Sequence, residues 1–153
     1  MMTKSDQQTK DIVAGLGEIG TPILRLISSA TNAEGYDINP QLVNQKNVKK
    51  YESLKTRLLH VCIPFNTSFE KNVFDLNKKF FPSGMVIHST ISPGTTNSLQ
   101  EKFSIPVIYS ATRGIHKRML SDLKRYTKFF AIEPNAPNEK WATQTYEIGR
   151  AHV

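Results

Sequence analysis

The residues with the most chemical content are three glycines and an acid. Gly15, Gly17 and Gly20 fall at G-x-G-x-x-G spacing, at the end of the apolar run Ile12-Val13-Ala14. Asp37 follows about 20 residues on, at the end of Glu34-Gly35-Tyr36-Asp37. This is the strand–turn–helix–strand–acid order that holds a dinucleotide. Gly15 would let the chain turn tightly out of the strand. Gly17, lacking a Cβ, would let a pyrophosphate reach the backbone. Gly20 would let the new helix pack close to the sheet. Glu18 and Ile19 stand at the start of that helix, where free N–H groups and the positive dipole end favour phosphate. Asp37 would accept from the adenosine ribose hydroxyls and repel a 2′-phosphate. The expected cofactor is therefore NAD rather than NADP. The competing reading is a tight turn in some other α/β protein, with Asp37 capping a helix before Pro40.

Such a site needs a strand to aim it, and the pattern supplies one at Lys10–Ala14. A helix over Glu18–Ala30 follows, with Ile19, Ile23, Leu26, Ile27 and Ala30 at helical spacing and Pro22 in the first turn. Further strands are expected at Gly35–Ile38, Leu58–Pro64, Gly84–Thr90, Ile105–Tyr109 and Lys128–Ile132. Helices are expected at Pro40–Arg57, with Leu42, Val43, Val48, Tyr51 and Leu54 on its inner side, at Ser68–Phe81, from the loop Ile91–Thr96 to about Phe103, and from Glu139 with Asn138 as its cap. Alternating strands and helices predict an α/β, Rossmann-type doubly wound sheet, mostly parallel and flanked by helices. Ligands then bind outside the carboxyl ends of the strands.

Bulk properties narrow the class. The chain has 153 residues, 39% of them hydrophobic, which suits one globular domain with a real core. Its single cysteine excludes a disulfide framework and fits a reducing, cytoplasmic setting. No apolar run is long enough for a membrane span. The net charge of +7 reads as a solvated basic surface or as attraction for anionic ligands. The Lys and Arg are scattered and no nucleic-acid motif is visible, so no nucleic-acid partner is expected. No metal site is expected either.

At Ser89-Thr90-Ile91-Ser92-Pro93-Gly94-Thr95-Thr96 a resemblance emerges. With the glycine motif and the strand ending Cys62-Ile63-Pro64, this loop resembles the NAD-binding domain of the UDP-glucose/GDP-mannose dehydrogenase family, over about residues 10–130. The resemblance implies oxidation of a nucleotide-sugar alcohol to the uronic acid in two hydride transfers. It implies that Thr90, the candidate catalytic residue, and Ser89 lie near the nicotinamide, and that Pro64 walls the adenine side. Where the family carries a Ser-Pro-Glu segment, this chain has Ser110-Ala111-Thr112, so Thr112 stands in place of an acid. Cys62, on a strand expected to be buried, is not the family's nucleophile, which lies in a later domain.

The same loop also resembles the β-hydroxyacid dehydrogenases, relatives of 6-phosphogluconate dehydrogenase. In that light Arg113 would clamp a substrate carboxylate or phosphate and His116 would orient it or move a proton. The alternative is a surface arginine and a loop histidine. A non-catalytic NAD-binding module is a third reading. The small-molecule substrate is thus a nucleotide sugar or a β-hydroxyacid.

Residues 1–9 are expected to be a disordered tail and 10–146 the dinucleotide-binding domain, cut short before a helical second domain. Residues 147–153, Glu147-Ile148-Gly149-Arg150-Ala151-His152-Val153, back-translate into the opening of a widely used sequencing adapter. They are expected to be a non-native tail in which Arg150 and His152 carry no function. Loss of a partner domain would expose apolar surface and favour a homodimer, and would leave the fragment inactive alone.

Overall fold

A computed structural model describes residues 8–112, Met119, Ser121 and 129–151, the last five of these by backbone only. Arg113 and His116, with their expected substrate role, lie outside the described residues, as do residues 1–7.

Six strands form one sheet in the order β2-β1-β3-β4-β5-β6. They are β1 (Thr9–Ala14), β2 (Ala33–Tyr36), β3 (Lys55–Val61), β4 (Gly84–Ile87), β5 (Val107–Tyr109) and β6 (Ala131–Ile132). The first five run parallel, and β6 returns antiparallel to β5. The helices are α1 (Gly20–Ser28), α2 (Gln45–Lys50), α3 (Phe69–Phe80), α4 (Thr95–Lys102) and α5 (Glu139–Ala151). The fold is the expected Rossmann-type α/β sheet. The chain leaves β1 toward β2 on one side and returns to β3 on the other, so the strand order reverses between β1 and β3, where open α/β sheets bind ligands.

Register aligns the strand ends that border the site. Ala14 pairs with Tyr36 and Val61, Val61 with Ile87, and Ile87 with Tyr109. One row therefore crosses the sheet, and the next residue of each strand, among them Gly15, Asp37, Cys62 and His88, emerges along one edge.

Both faces of the sheet are covered, as parallel strands require. On one face Ile12, Ala14, Leu59, Val61, Met85, Ile87 and Val107 pack against Phe69, Val73 and Leu76 of α3, Leu99 of α4, and Phe103. On the other, Val13, Leu16 and Ile23 form a cluster under α1, and Leu58, Val86 and Ile108 pack against Ala142 and Tyr146 of α5.

The bounds of several expected elements differ; β3 ends at Val61 and β4 at Ile87, so Pro64, Ser89 and Thr90 lie in the loops beyond them. The helix Pro40–Arg57 is instead a 3₁₀ turn at Pro40–Leu42, the short α2, and the first residues of β3. Two asparagines restart the chain there: Asn39 Oδ1 accepts from Gln41 N, and Asn44 Oδ1 from Lys46 N and Asn47 N. Lys55-Thr56-Arg57 pairs with β1 rather than continuing a helix. Leu42, expected inside, is 51% exposed. The second strand ends at Tyr36, and Ile38 projects into solvent beyond it. The first helix begins at Gly20, leaving Glu18 and Ile19 in the turn before it. Thr9, expected in the tail, opens β1. At the far end Asn138 O accepts from Ala142 N and α5 follows from Glu139. No helix among the described residues is long and apolar enough to cross a membrane.

Candidate functional site

The turn out of β1 is made by Gly15 at φ +94°, a left-handed value costly for any residue with a Cβ. A Cβ there would also stand 2.7 Å from Cys62 O. Gly20 is equally constrained, since its Cβ would fall 1.5 Å from Gly15 O. These two glycines let protein approach protein. Gly17 differs, because nothing lies within 4 Å of where its Cβ would be and its φ is not positive. No demand of the fold requires glycine at that point; it borders open space. Helix α1 starts three residues on with Ile19 at its N-cap and no side-chain cap. Its N-terminal partial charge therefore faces the same space.

Asp37 sits beside this loop. Its Oδ2 accepts from Leu16 N at 2.8 Å and its Oδ1 from Asn39 N at 2.9 Å. The carboxylate ties the glycine loop to the end of β2 while each oxygen keeps a second lone pair. It does not cap the 3₁₀ turn; Asn39 does. Thr21 Oγ1 donates to Leu16 O at 2.9 Å, holding the loop from the helix side.

A cleft of about 1050 Å³ opens here, lined by Gly15, Gly17, Glu18, Ile19, Asp37, Pro64, Ser89 and Thr90 from the expected set. Gly20 is buried behind it. Ser89 is buried, with Oγ donating to Ile63 O at 2.6 Å, so it joins the ends of β4 and β3. Thr90 is exposed at the rim. Thr112, where a family acid would stand, is half-buried, and its N donates to His88 O at 3.4 Å. Cys62, expected to be buried in a strand, is half-buried and lines the cleft. Its N donates to Ala14 O at 2.8 Å, and its side chain packs against the cluster of Val13, Leu16 and Ile23.

One wall escaped the sequence reading. Asn72, Asp75, Leu76 and Lys79 of α3 line the cleft, as do Tyr36, Ile38 and Phe65. Residues 72, 75, 76 and 79 recur at three and four, which puts them on one helix face. That face was legible in the spacing, but only the strand order shows that it borders the cleft.

A second polar group lies inside the sheet. Asp11 on β1 accepts from Arg57 Nε at 3.0 Å and Nη2 at 3.2 Å. Its Oδ2 also lies 3.0 Å from His60 Nε2, and His60 Nδ1 lies 2.9 Å from His88 Nε2. Asp11, His60 and His88 are each 2% exposed. Burial alone would raise the Asp11 pKa; the hydrogen bond and charge of His60, then Arg57, outweigh it and hold the carboxyl below its ordinary range. Among the described residues no His, Cys, Asp and Glu cluster could hold a metal ion.

The chain matches no model of a known protein family and no curated protein sequence. Solved structures do resemble it. A UDP-D-ManNAc dehydrogenase from Pyrococcus horikoshii superposes with a TM-score of 0.74 at 19% identity, over 95% of this chain and 45% of that one. A UDP-N-acetyl-mannosamine dehydrogenase from Staphylococcus aureus gives 0.70 at 16% identity, over 95% of this chain and 46% of that one. The chain thus spans less than half the length of the structures it resembles. At these identities the likeness is one of fold.

Proposed function

We propose that this chain is the NAD-binding domain of an oxidoreductase acting on a nucleotide-sugar alcohol. The observation that carries the reading is Gly17: a glycine bordering open space, at an uncapped helix N-terminus, in a cleft large enough for a dinucleotide. The order of motifs and the fold shared with two UDP-N-acetylmannosamine dehydrogenases support the substrate class.

In this reading the backbone around Gly17 and the start of α1 receive the pyrophosphate. Asp37, already oriented by Leu16 N and Asn39 N, offers its remaining lone pairs to the adenosine ribose. Pro64 bounds the wall of the cleft, and Ser89 and Thr90 sit at the end of β4, where the nicotinamide ring would lie. The bound cofactor supplies hydride acceptance, and the chain's task is placement. Thr112 has no carboxylate to act as a base, so we assign these residues cofactor placement rather than the full oxidation.

The test is a calorimetric titration of the chain with NAD⁺, with folding verified by circular dichroism. Saturable binding is expected. A folded chain that binds no dinucleotide would refute the proposal.

A further inference from the structure

The loop between β4 and α4 borders two hollows. Ser89 and Thr90 line the dinucleotide cleft, and from Ile91 onward the same loop lines a second pocket of about 330 Å³. Tyr109 at the end of β5, Ile132 on β6 and Pro93 of the loop give this pocket an apolar wall. Ser92, Thr96 and Glu133 are polar groups of its lining. Its volume stands at the small end of ligand sites, enough for a single ring.

The polar groups of this pocket are left open. Among the described residues, no hydrogen bond or ion pair reaches the Glu133 carboxylate, the Tyr109 hydroxyl or the Thr96 hydroxyl. Glu133, Tyr109 and Thr96 are each half-buried, partly withdrawn from water without a protein partner. Gly94, the N-cap of α4, brings no capping side chain, which leaves backbone donors at the rim.

These groups narrow the ligand. No Lys, Arg or His is in the lining, so nothing there offsets the Glu133 charge and an anion is disfavoured. A metal ion has one carboxylate to bind, too few ligands to hold it. A wholly apolar ligand would strand the carboxylate and the hydroxyls. A sugar ring answers every group. Its hydroxyls donate to a carboxylate and accept from hydroxyl and backbone donors, and its C–H face packs on an aromatic ring.

We propose that this pocket binds a neutral hexose ring, with Tyr109 receiving its C–H face and Glu133 accepting from its hydroxyls. The Glu133 charge makes the pocket select an uncharged sugar over the same ring bearing a carboxylate. This site goes beyond the dinucleotide reading and does not depend on it.

The experiment is an amide NMR titration of the isotopically labelled whole chain, without cofactor, with glucose and, separately, glucuronate. Amide dispersion checks the fold of each variant. Glucose should give saturable shifts in the millimolar range at Gly94, Thr96 and Ala131, and glucuronate should bind at least about fivefold more weakly. Glu133→Gln should shrink that difference to less than about twofold, and Tyr109→Leu should weaken both sugars alike. Absence of saturable shifts at these amides, glucuronate binding as tight as glucose, or a difference that persists in Glu133→Gln would overturn the proposal. NAD⁺ binding is scored in its own titration, so the two readings fail separately.

Discussion

The carboxyl edge of the sheet and its interior treat polar groups in opposite ways. At the edge, Gly17 borders empty space, α1 begins without a side-chain cap, and Thr90 lies exposed. Inside, Asp11, Arg57, His60 and His88 join one another across β1, β3 and the end of β4, with contacts of 2.9–3.2 Å. The edge leaves donors for a partner from outside, and the interior consumes its own. An unsatisfied polar group in the core costs stability, whereas one at a ligand cleft is what a ligand binds. The contrast separates residues that hold the fold from residues that serve the site.

Breaking the interior should have the largest effect. Asp11→Ala leaves Arg57 and His60 without their shared carboxylate. It should cost about 3–5 kcal/mol in urea unfolding. NAD⁺ affinity of the folded fraction should stay within about threefold, since Asp11 touches no part of the cleft.

Gly20 stands where the two regions meet. Gly20→Ala drives a Cβ against Gly15 O. It should destabilise by about 1–3 kcal/mol, as overpacking does, and weaken NAD⁺ binding in the same titration. Linked losses of stability and binding would mark it as a packing glycine that also places the helix.

Acid titration probes the interior more gently. The Asp11 carboxyl is held below its ordinary value, so the stability it contributes is fully present above about pH 4. That contribution is lost as pH falls through the depressed native value. Urea midpoints measured downward from pH 7 should fall in that acidic window, and Asp11→Asn should flatten the fall. An equal slope in the variant would remove Asp11 from the account.

The edge was legible in the sequence because its grammar is local. Gly15, Gly17 and Gly20 sit within one turn, and each strand end follows its own apolar run. All six expected strands are present for the same reason. The interior was not legible. Asp11 meets Arg57 and His60 across 46 and 49 residues, and only the register of β1 on β3 brings them together. The region 40–57 misled because Leu42, Val43, Val48, Tyr51 and Leu54 fit a helical stripe. Asn39 and Asn44, whose side chains interrupt that stripe, were the signal for a break.

The smallest expected effect on stability is also the most direct test of the central claim, that Gly17 is kept open for a ligand rather than for the fold. The measurement pairs urea unfolding with calorimetric NAD⁺ titration of Gly17→Ala. Gly17→Ala should change stability by no more than about 0.5 kcal/mol and weaken NAD⁺ affinity at least about tenfold. An NAD⁺ affinity unchanged by the added methyl group would contradict it.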